Sequence, residues 1–293
     1  MTSCPACGRT TLGRSHLGRF TYREFRYEYV VCRRCRSHFA EPMPSETLLE
    51  EIYAPTYLDE HYPEEAAGHV HNRELQLESE LAVERLASLR PGGTLLDIGC
   101  GVGEVLVRAQ RAGLRPEGFE RSSRTARWVE SRTGVRVRSG RVLQAGSFDL
   151  VHLADVLEHS PNPLELLDGA RSVLALDGRL LVRGPLEAQR SLFHLAVRMQ
   201  RELRGTVRAL PPVEAAPLHV VLFTLEGMRS LCRRAGLEVE SERVYETHWP
   251  ASESATLSAK TIVKEVSLRI SNSVVGRLFE MGTRNVTVLR STT

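Results

Sequence analysis

The 293-residue sequence has no apolar run near the ~18 residues that a membrane-spanning helix needs, and its first residues lack the apolar stretch of a secretion signal. These absences exclude a helical membrane protein and make the cytoplasm the expected compartment. There is no internal repeat and no low-complexity segment, which excludes solenoids and fibrous assemblies. Lysine is almost missing: Lys260 and Lys264 stand beside 37 arginines, a bias from which no function is read. Charge of one sign is also lacking, because a net +3 is too small for a chain whose whole surface binds nucleic acid. What is there, 42% hydrophobic and 26% charged residues, suffices for one large domain or a domain with an added module.

The organising stretch is Leu95-Leu96-Asp97-Ile98-Gly99-Cys100-Gly101-Val102-Gly103-Glu104. It reads as a buried strand, a glycine turn and a helix start, the arrangement that places ligands at the carboxyl end of a strand in an open α/β sheet. A dinucleotide turn has the spacing G-x-G-x-x-G. Here the spacing is G-x-G-x-G, and Glu104 stands where the last glycine would be. A carboxylate at the helix start repels a pyrophosphate, so a nucleoside without phosphates fits better. Arg115 to Glu120 reads as the next strand, and Glu120, 21 residues after Gly99, is placed to accept hydrogen bonds from ribose hydroxyls.

Strands and helices then alternate: helix 104–113, strand 115–120, a helix capped by Ser122, short strand 135–138, strand 147–154, helix 164–174, a turn at Asp177-Gly178 and strand 179–183. This order predicts a parallel sheet covered by helices on both faces. Upstream, Cys4-Pro5-Ala6-Cys7 and Cys32-Arg33-Arg34-Cys35 form two C-x-x-C pairs 24 residues apart, with β-branched and aromatic residues between them. That spacing suits one four-thiolate zinc site; two disulfides or a redox dithiol are the other uses of such pairs, and disulfides are disfavoured without a secretion signal. His38 is expected in solvent, and Cys100 and Cys232 as small core residues.

The glycine stretch with Glu120 resembles the first motif of class I S-adenosylmethionine (SAM)-dependent methyltransferases. Phe148-Asp149 through Asp155-Val156-Leu157-Glu158-His159, Pro163, Asp177-Gly178-Arg179-Leu180 and Pro185 resemble their later motifs. His219 to Thr224 with Ala235-Gly236-Leu237 is similar to a subset carrying an N-terminal zinc ribbon, many of whose members modify sugars or other small biosynthetic molecules. The resemblance implies an α/β, Rossmann-like seven-stranded methyltransferase sheet with a small N-terminal zinc ribbon, closed by an antiparallel last strand. It implies that Gly99, Gly101 and Gly103 pass the amino-acid end of SAM, that Asp97 holds its ammonium, that Glu120 holds the ribose, and that Ala154 and Asp155 line the methyl-donor pocket. One departure is Ser139-Gly140-Arg141-Val142, where the family often has an acid for the adenine amino group.

The expected organisation is a zinc ribbon at 1–40, a Pro/Tyr linker or lid at 41–70 with one helical turn near 47–53, a SAM-binding domain at 71–250 with an insert at 187–217, and a C-terminal helix and last strand at 251–293. In the insert, Leu192, Leu195, Ala196, Met199 and Leu203 trace an apolar helical stripe, a wall for the acceptor or a homodimer contact. Structural Zn2+ is expected on Cys4, Cys7, Cys32 and Cys35. His219 and His159 are the candidate general bases, because both fall on the ligand edge of the sheet and imidazole titrates near neutrality. The expected partner is a small-molecule acceptor, a saccharide or a biosynthetic intermediate. An RNA methyltransferase gripping RNA with its ribbon and a non-catalytic SAM-binding protein are the alternatives; the modest charge speaks against the first and the intact glycines with candidate bases against the second.

Overall fold

Among the described residues twelve strands form two sheets, and the smaller sheet borrows two short strands from the later part of the chain. In the computed structural model, residues 2–59, 73–140, 146–189, 213–247, 266, 268–273 and 280–292 are described. The N-terminal sheet contains β1 (Leu12–Tyr22), β2 (Phe25–Cys32) and β3 (His38–Glu41) as an antiparallel meander. After α1 (Glu46–Asp59) and α2 (Arg73–Leu89) come β4 (Thr94–Ile98), α3 (Glu104–Arg111), β5 (Arg115–Glu120), α4 (Ser123–Thr133), β6 (Val137–Ser139), β7 (Phe148–Ala154), α5 (Pro163–Ser172) and β8 (Leu174–Pro185). The chain continues with β9 (Val213–Glu214), β10 (Val221–Leu222), α6 (Leu225–Arg234), β11 (Leu237–Tyr245) and β12 (Arg284–Ser291).

The large sheet has the order β11-β12-β8-β7-β4-β5-β6. β4 through β8 run parallel, and β12 lies antiparallel between β8 and β11. Strand order reverses beside β4, whose neighbours are β5 and β7, so a crevice opens there at the carboxyl ends, the usual ligand edge of such sheets. The strands are apolar on both faces: Leu95, Leu150, Leu180 and Leu181 are fully buried, as strands covered by helices on either side require.

Local chemistry explains most element boundaries. The Ser122 hydroxyl accepts from the Thr125 amide and starts α4, and Gly134 ends it at φ 68°. The turn expected at Asp177-Gly178 is absorbed into β8: the register against β7 breaks between Phe148 and Leu150, so residues 175–178 bulge from the ladder. The linker holds more order than one turn, because α1 spans 14 residues. It is tied down at its start by Arg121, whose guanidinium lies 3.0 Å from both Glu46 and Glu50. The helical stripe at 192–203, Tyr62 of the linker and most of the C-terminal helix fall outside the described residues.

β9 adds to β1 and β10 to β3, giving the small sheet the order β10-β3-β2-β1-β9. Cys4, Cys32, Cys35 and Phe39 share one apolar core with Leu225, Met228, Leu231 and Cys232 of α6. His38 is not solvated. It is 9% exposed, its Nδ1 is 2.8 Å from Ser15 Oγ, and burial lowers its pKa to about 4. An imidazole on the inward face of a strand that packs on a second layer loses its water with the rest of that face.

Candidate functional site

The glycine turn is built around a close approach of backbone. Gly99, Gly101 and Gly103 have φ values of 72°, 52° and 83°, a region that side chains rarely tolerate. A Cβ on Gly99 would stand 2.6 Å from Val156 Cγ2, and one on Gly103 would stand 2.8 Å from Val129 Cγ1. The turn therefore lies flat between α4 and the segment that follows β7, leaving the first amides of α3 with no capping side chain. Glu104 spends its charge inside the protein: it is 5% exposed and pairs with Arg108 at 2.6 Å. Repulsion of a phosphate by a free Glu104 carboxylate is thus weaker than the sequence suggests, since the arginine one turn away offsets it.

At the end of β5 the Glu120 carboxylate accepts from the Ser122 amide at 3.2 Å. Burial raises its pKa, while the amides of Ser122, Gly101 and Arg121 pull the other way. On the neighbouring strands, Asp97 is 3% exposed and its Oδ1 lies 2.7 Å from Nδ1 of His152, which is completely buried. Asp97 is thus turned, at least in part, toward β7. Nothing in the sequence shows that β4 and β7 bring His152 opposite Asp97 in register.

Past β7, Asp155 adopts φ 53° and its carboxylate accepts from Arg284 of β12 at 2.7 and 2.9 Å. Burial pushes this carboxyl up, but the guanidiniums of Arg284 and Arg183 outweigh it and hold the pKa below the usual range. Glu78 of α2 completes the network, 2.9 Å from Arg284 and 3.3 Å from Arg183, and Tyr245 donates to it at 3.1 Å. Ala154 sits at the last position of β7, beside this turn.

The turn Leu157–His159 then brings together three groups the sequence holds far apart. Ligating atoms of Glu158, His159 and His219 lie within 4.8 Å of one another, and the two imidazoles meet edge to face with centroids 4.6 Å apart. Nδ1 of His159 is 2.9 Å from the Leu218 carbonyl and 2.6 Å from the Tyr53 hydroxyl, which itself donates to that carbonyl. A carbonyl only accepts, so Nδ1 carries the hydrogen and Nε2 keeps its lone pair. Burial, then the neighbouring His219, lowers the His159 pKa to about 4. His219 differs. Burial works against its charged form, but the hydrogen bond from Nδ1 to Glu187 at 2.7 Å and the charges of Glu187, Glu158 and Asp155 raise its pKa. Glu158 is 3% exposed, its Oε1 lies 3.9 Å from His159 Nε2 with no hydrogen-bond partner among the described residues, and burial with Asp155 nearby pushes its pKa up to about 8.

A family model described as a methyltransferase domain matches residues 69–242. The chain belongs to this methyltransferase family. It is 31% identical over 197 residues to a ubiquinone biosynthesis O-methyltransferase of Xanthomonas axonopodis pv. citri, across 63% of this chain and 79% of that one. Two solved structures share the fold. Magnesium protoporphyrin IX methyltransferase from Synechocystis PCC 6803, with S-adenosylhomocysteine bound, has a TM-score of 0.55 at 14% identity, covering 84% of this chain and all of that one. A protein from Pyrococcus horikoshii OT3 has a TM-score of 0.50 at 17% identity, covering 82% and 98%. The enzyme is a SAM-dependent methyltransferase of α/β, Rossmann-like architecture.

In this methyltransferase the four N-terminal sulfurs also converge. Cys4 and Cys35 Sγ are 3.7 Å apart, Cys7 and Cys32 Sγ 3.5 Å, and none is in a disulfide. Zn–S bonds of about 2.3 Å in a tetrahedron separate the sulfurs by about 3.8 Å, so the set fits Zn2+. Each pair is folded by a tight turn, Gly8 N to Cys4 O at 2.8 Å and Arg36 N to Cys32 O at 2.9 Å. Among the described residues no helix is long and apolar enough to cross a membrane.

The residues that sequence reasoning missed are Glu187, His152 and Arg284. Tyr53 is one of the tyrosines of the Pro/Tyr linker. Of these, Tyr53 alone carried a signal, since tyrosines in a proline-rich linker beside an α/β domain are natural contacts to its cleft.

Proposed function

We propose that this enzyme transfers the SAM methyl group to a hydroxyl of a small-molecule acceptor, a saccharide or other biosynthetic intermediate, with His219 as general base. The observation that carries the reading is the Glu187–His219 hydrogen bond of 2.7 Å beside His159, on the turn packed against the glycine loop. Glu187 fixes Nδ1–H of His219, which leaves Nε2 to take the acceptor's proton. His159, kept neutral by burial, packs edge to face against His219 and borders the same pocket. Tyr53 and the Leu218 carbonyl hold its ring.

Gly99, Gly101 and Gly103 provide the cradle, Glu120 takes the ribose hydroxyls, and Asp97 holds the ammonium of the amino-acid end directly or through water. Ala154 and Asp155 border the methyl-donor pocket, with Arg284 holding Asp155 in its strained turn. SAM supplies an electrophilic sulfonium methyl; the protein's part is orientation, exclusion of water and acceptance of one proton. Structural Zn2+ on Cys4, Cys7, Cys32 and Cys35 supports the module at 1–40. Tyr27 and Tyr29 of that module are engaged by the carbonyls of Ala215 and His219, which favours a wall of the site over an RNA grip.

The reading is tested by incubating the protein with methyl-labelled SAM and a panel of phenols, catechols and saccharides. Transfer to a panel member that falls at least ~100-fold in His219→Gln, with SAM affinity unchanged, supports it. Transfer at wild-type rate by His219→Gln overturns the role of the base, and absence of SAM binding by the wild type overturns the whole.

A further inference from the structure

His219 has no strand of its own. It lies three residues after Ala216 and two before β10, and the N-terminal module holds the chain on both sides of it. The Tyr27 hydroxyl of β2 donates to the Ala215 carbonyl at 3.1 Å, and the Tyr29 hydroxyl donates to the carbonyl of His219 itself at 2.6 Å. The Ala40 amide donates to the Val220 carbonyl at 2.9 Å, and Val221 pairs with Phe39. From the other side, the Val220 amide donates to the Glu158 carbonyl at 2.8 Å. Residues 218–222 therefore form a seam with the cysteine module on one edge and the Glu158–His159 turn on the other. Phe39, Val220 and Val221 are buried at its centre, while Leu218 is exposed and His219 half-buried.

We infer that Tyr29 is a positioning residue for His219: the cysteine module is a working wall of the active site, and its phenol sets the backbone from which the base reaches Glu187. The inference rests on the proposal that His219 is that base. A carbonyl pinned by a hydroxyl restricts rotation of the peptide that follows it, and so the direction in which the His219 Cα–Cβ bond points. The Glu187 contact is made from that direction, and small misplacements of a reacting group cost large factors in rate. The phenol is itself held, its ring edge-on to Phe20 with centroids 5.7 Å apart and to Tyr27 at 5.9 Å. Burial keeps the Tyr29 phenol protonated, so it donates throughout the working pH range. The charged and titratable groups that face His219 are Glu187, Glu158, Asp155 and His159, and none of them replaces the pin on its carbonyl.

The experiment needs no acceptor. Histidine side chains of the full-length, zinc-loaded protein are isotopically labelled and titrated by NMR, with His219→Gln identifying the signal and Glu187→Gln giving the position of an unbonded imidazole. Tyr29→Phe keeps the ring and removes only the hydroxyl. Its His219 midpoint is expected to move toward that of Glu187→Gln, by about half a unit or more, while calorimetric SAM affinity stays within about twofold. Tyr27→Phe, which loses the same kind of bond four residues earlier, is expected to leave the midpoint in place. An unmoved midpoint in Tyr29→Phe, or an equal movement in Tyr27→Phe, overturns the inference. A moved midpoint combined with full turnover by His219→Gln removes the base and leaves the positioning contact standing.

Discussion

Glu187 and His219 are 32 residues apart in sequence and bonded at 2.7 Å in the fold. The carboxylate raises the imidazole's pKa against burial, so His219 releases its proton above the usual histidine range. A base must be deprotonated to work, and the acid limb of the pH–rate profile is therefore expected above pH ~6.5. Glu187→Gln shifts that limb to lower pH and reduces the plateau, because the imidazole becomes a weaker base. Rates measured from pH 5 to 9 with an acceptor from the panel check this; an unmoved limb contradicts it.

Glu158 gives a pH dependence of the opposite practical sign. Its folded pKa of about 8 exceeds the usual carboxyl value, so the folded state holds a proton that the unfolded state releases between these two values. The stability this proton confers is fully present at acid pH, below the unfolded carboxyl value, and is lost as the pH rises through about 8. Glu158→Gln keeps a neutral side chain at every pH. Urea unfolding at pH 5 and 9 is expected to show wild type losing up to about 4 kcal/mol more than this variant. Parallel losses would contradict the assignment.

Gly99→Ala meets Val156 at 2.6 Å and a φ of 72° at once. It is expected to weaken SAM binding beyond calorimetric detection. Glu120→Gln, which keeps the volume and removes the charge, is expected to weaken it ~10–100-fold. Equal affinity of wild type for SAM and NADH would count against both expectations.

The Asp97–His152 pair is buried to the last few per cent. His152→Leu preserves apolar bulk and leaves Asp97 Oδ1 without its donor, at an expected cost of about 2–3 kcal/mol in urea unfolding. Asp97→Asn with His152 intact should cost less, since an amide oxygen still accepts from Nδ1–H. A reversed order would show that the contact is not the hydrogen bond described.

One zinc per chain is expected by elemental analysis, falling to none in a Cys4→Ser/Cys35→Ser double variant. Because the cysteines share a core with α6, this loss is expected to lower the melting temperature of the whole protein in a single transition. Two separated transitions would mean that the module folds on its own.

What the sequence made legible was local. The glycine turn, the Ser122 cap and the paired cysteines each declare themselves within ten residues, because one backbone conformation or one coordination geometry demands those residue types at that spacing. The place of Glu120 at the end of β5 was legible because the distance along a strand–helix–strand unit is nearly fixed. The site contacts were not: Tyr53 meets His159 across 106 residues, His152 meets Asp97 across 55, and Arg284 meets Asp155 across 129. Such pairs depend on sheet order and register, which hydrophobic pattern alone leaves open. Glu104 misled for a different reason: the arginine that offsets its charge stands one turn along its own helix, and the pair is drawn inside the protein.

β12 lies inside the large sheet, and Arg284 at its start grips Asp155. A ribosome makes that strand after all six of its sheet-mates. Until residues 284–291 have emerged, β8 and β11 each present an open hydrogen-bonding edge, and Asp155 lacks the guanidinium that bonds it directly. The emerging enzyme thus passes through a stage in which its large sheet is split in two, β11 on one side and the parallel strands on the other. A chaperone that covers exposed strand edges would be engaged then, and released when β12 slides in.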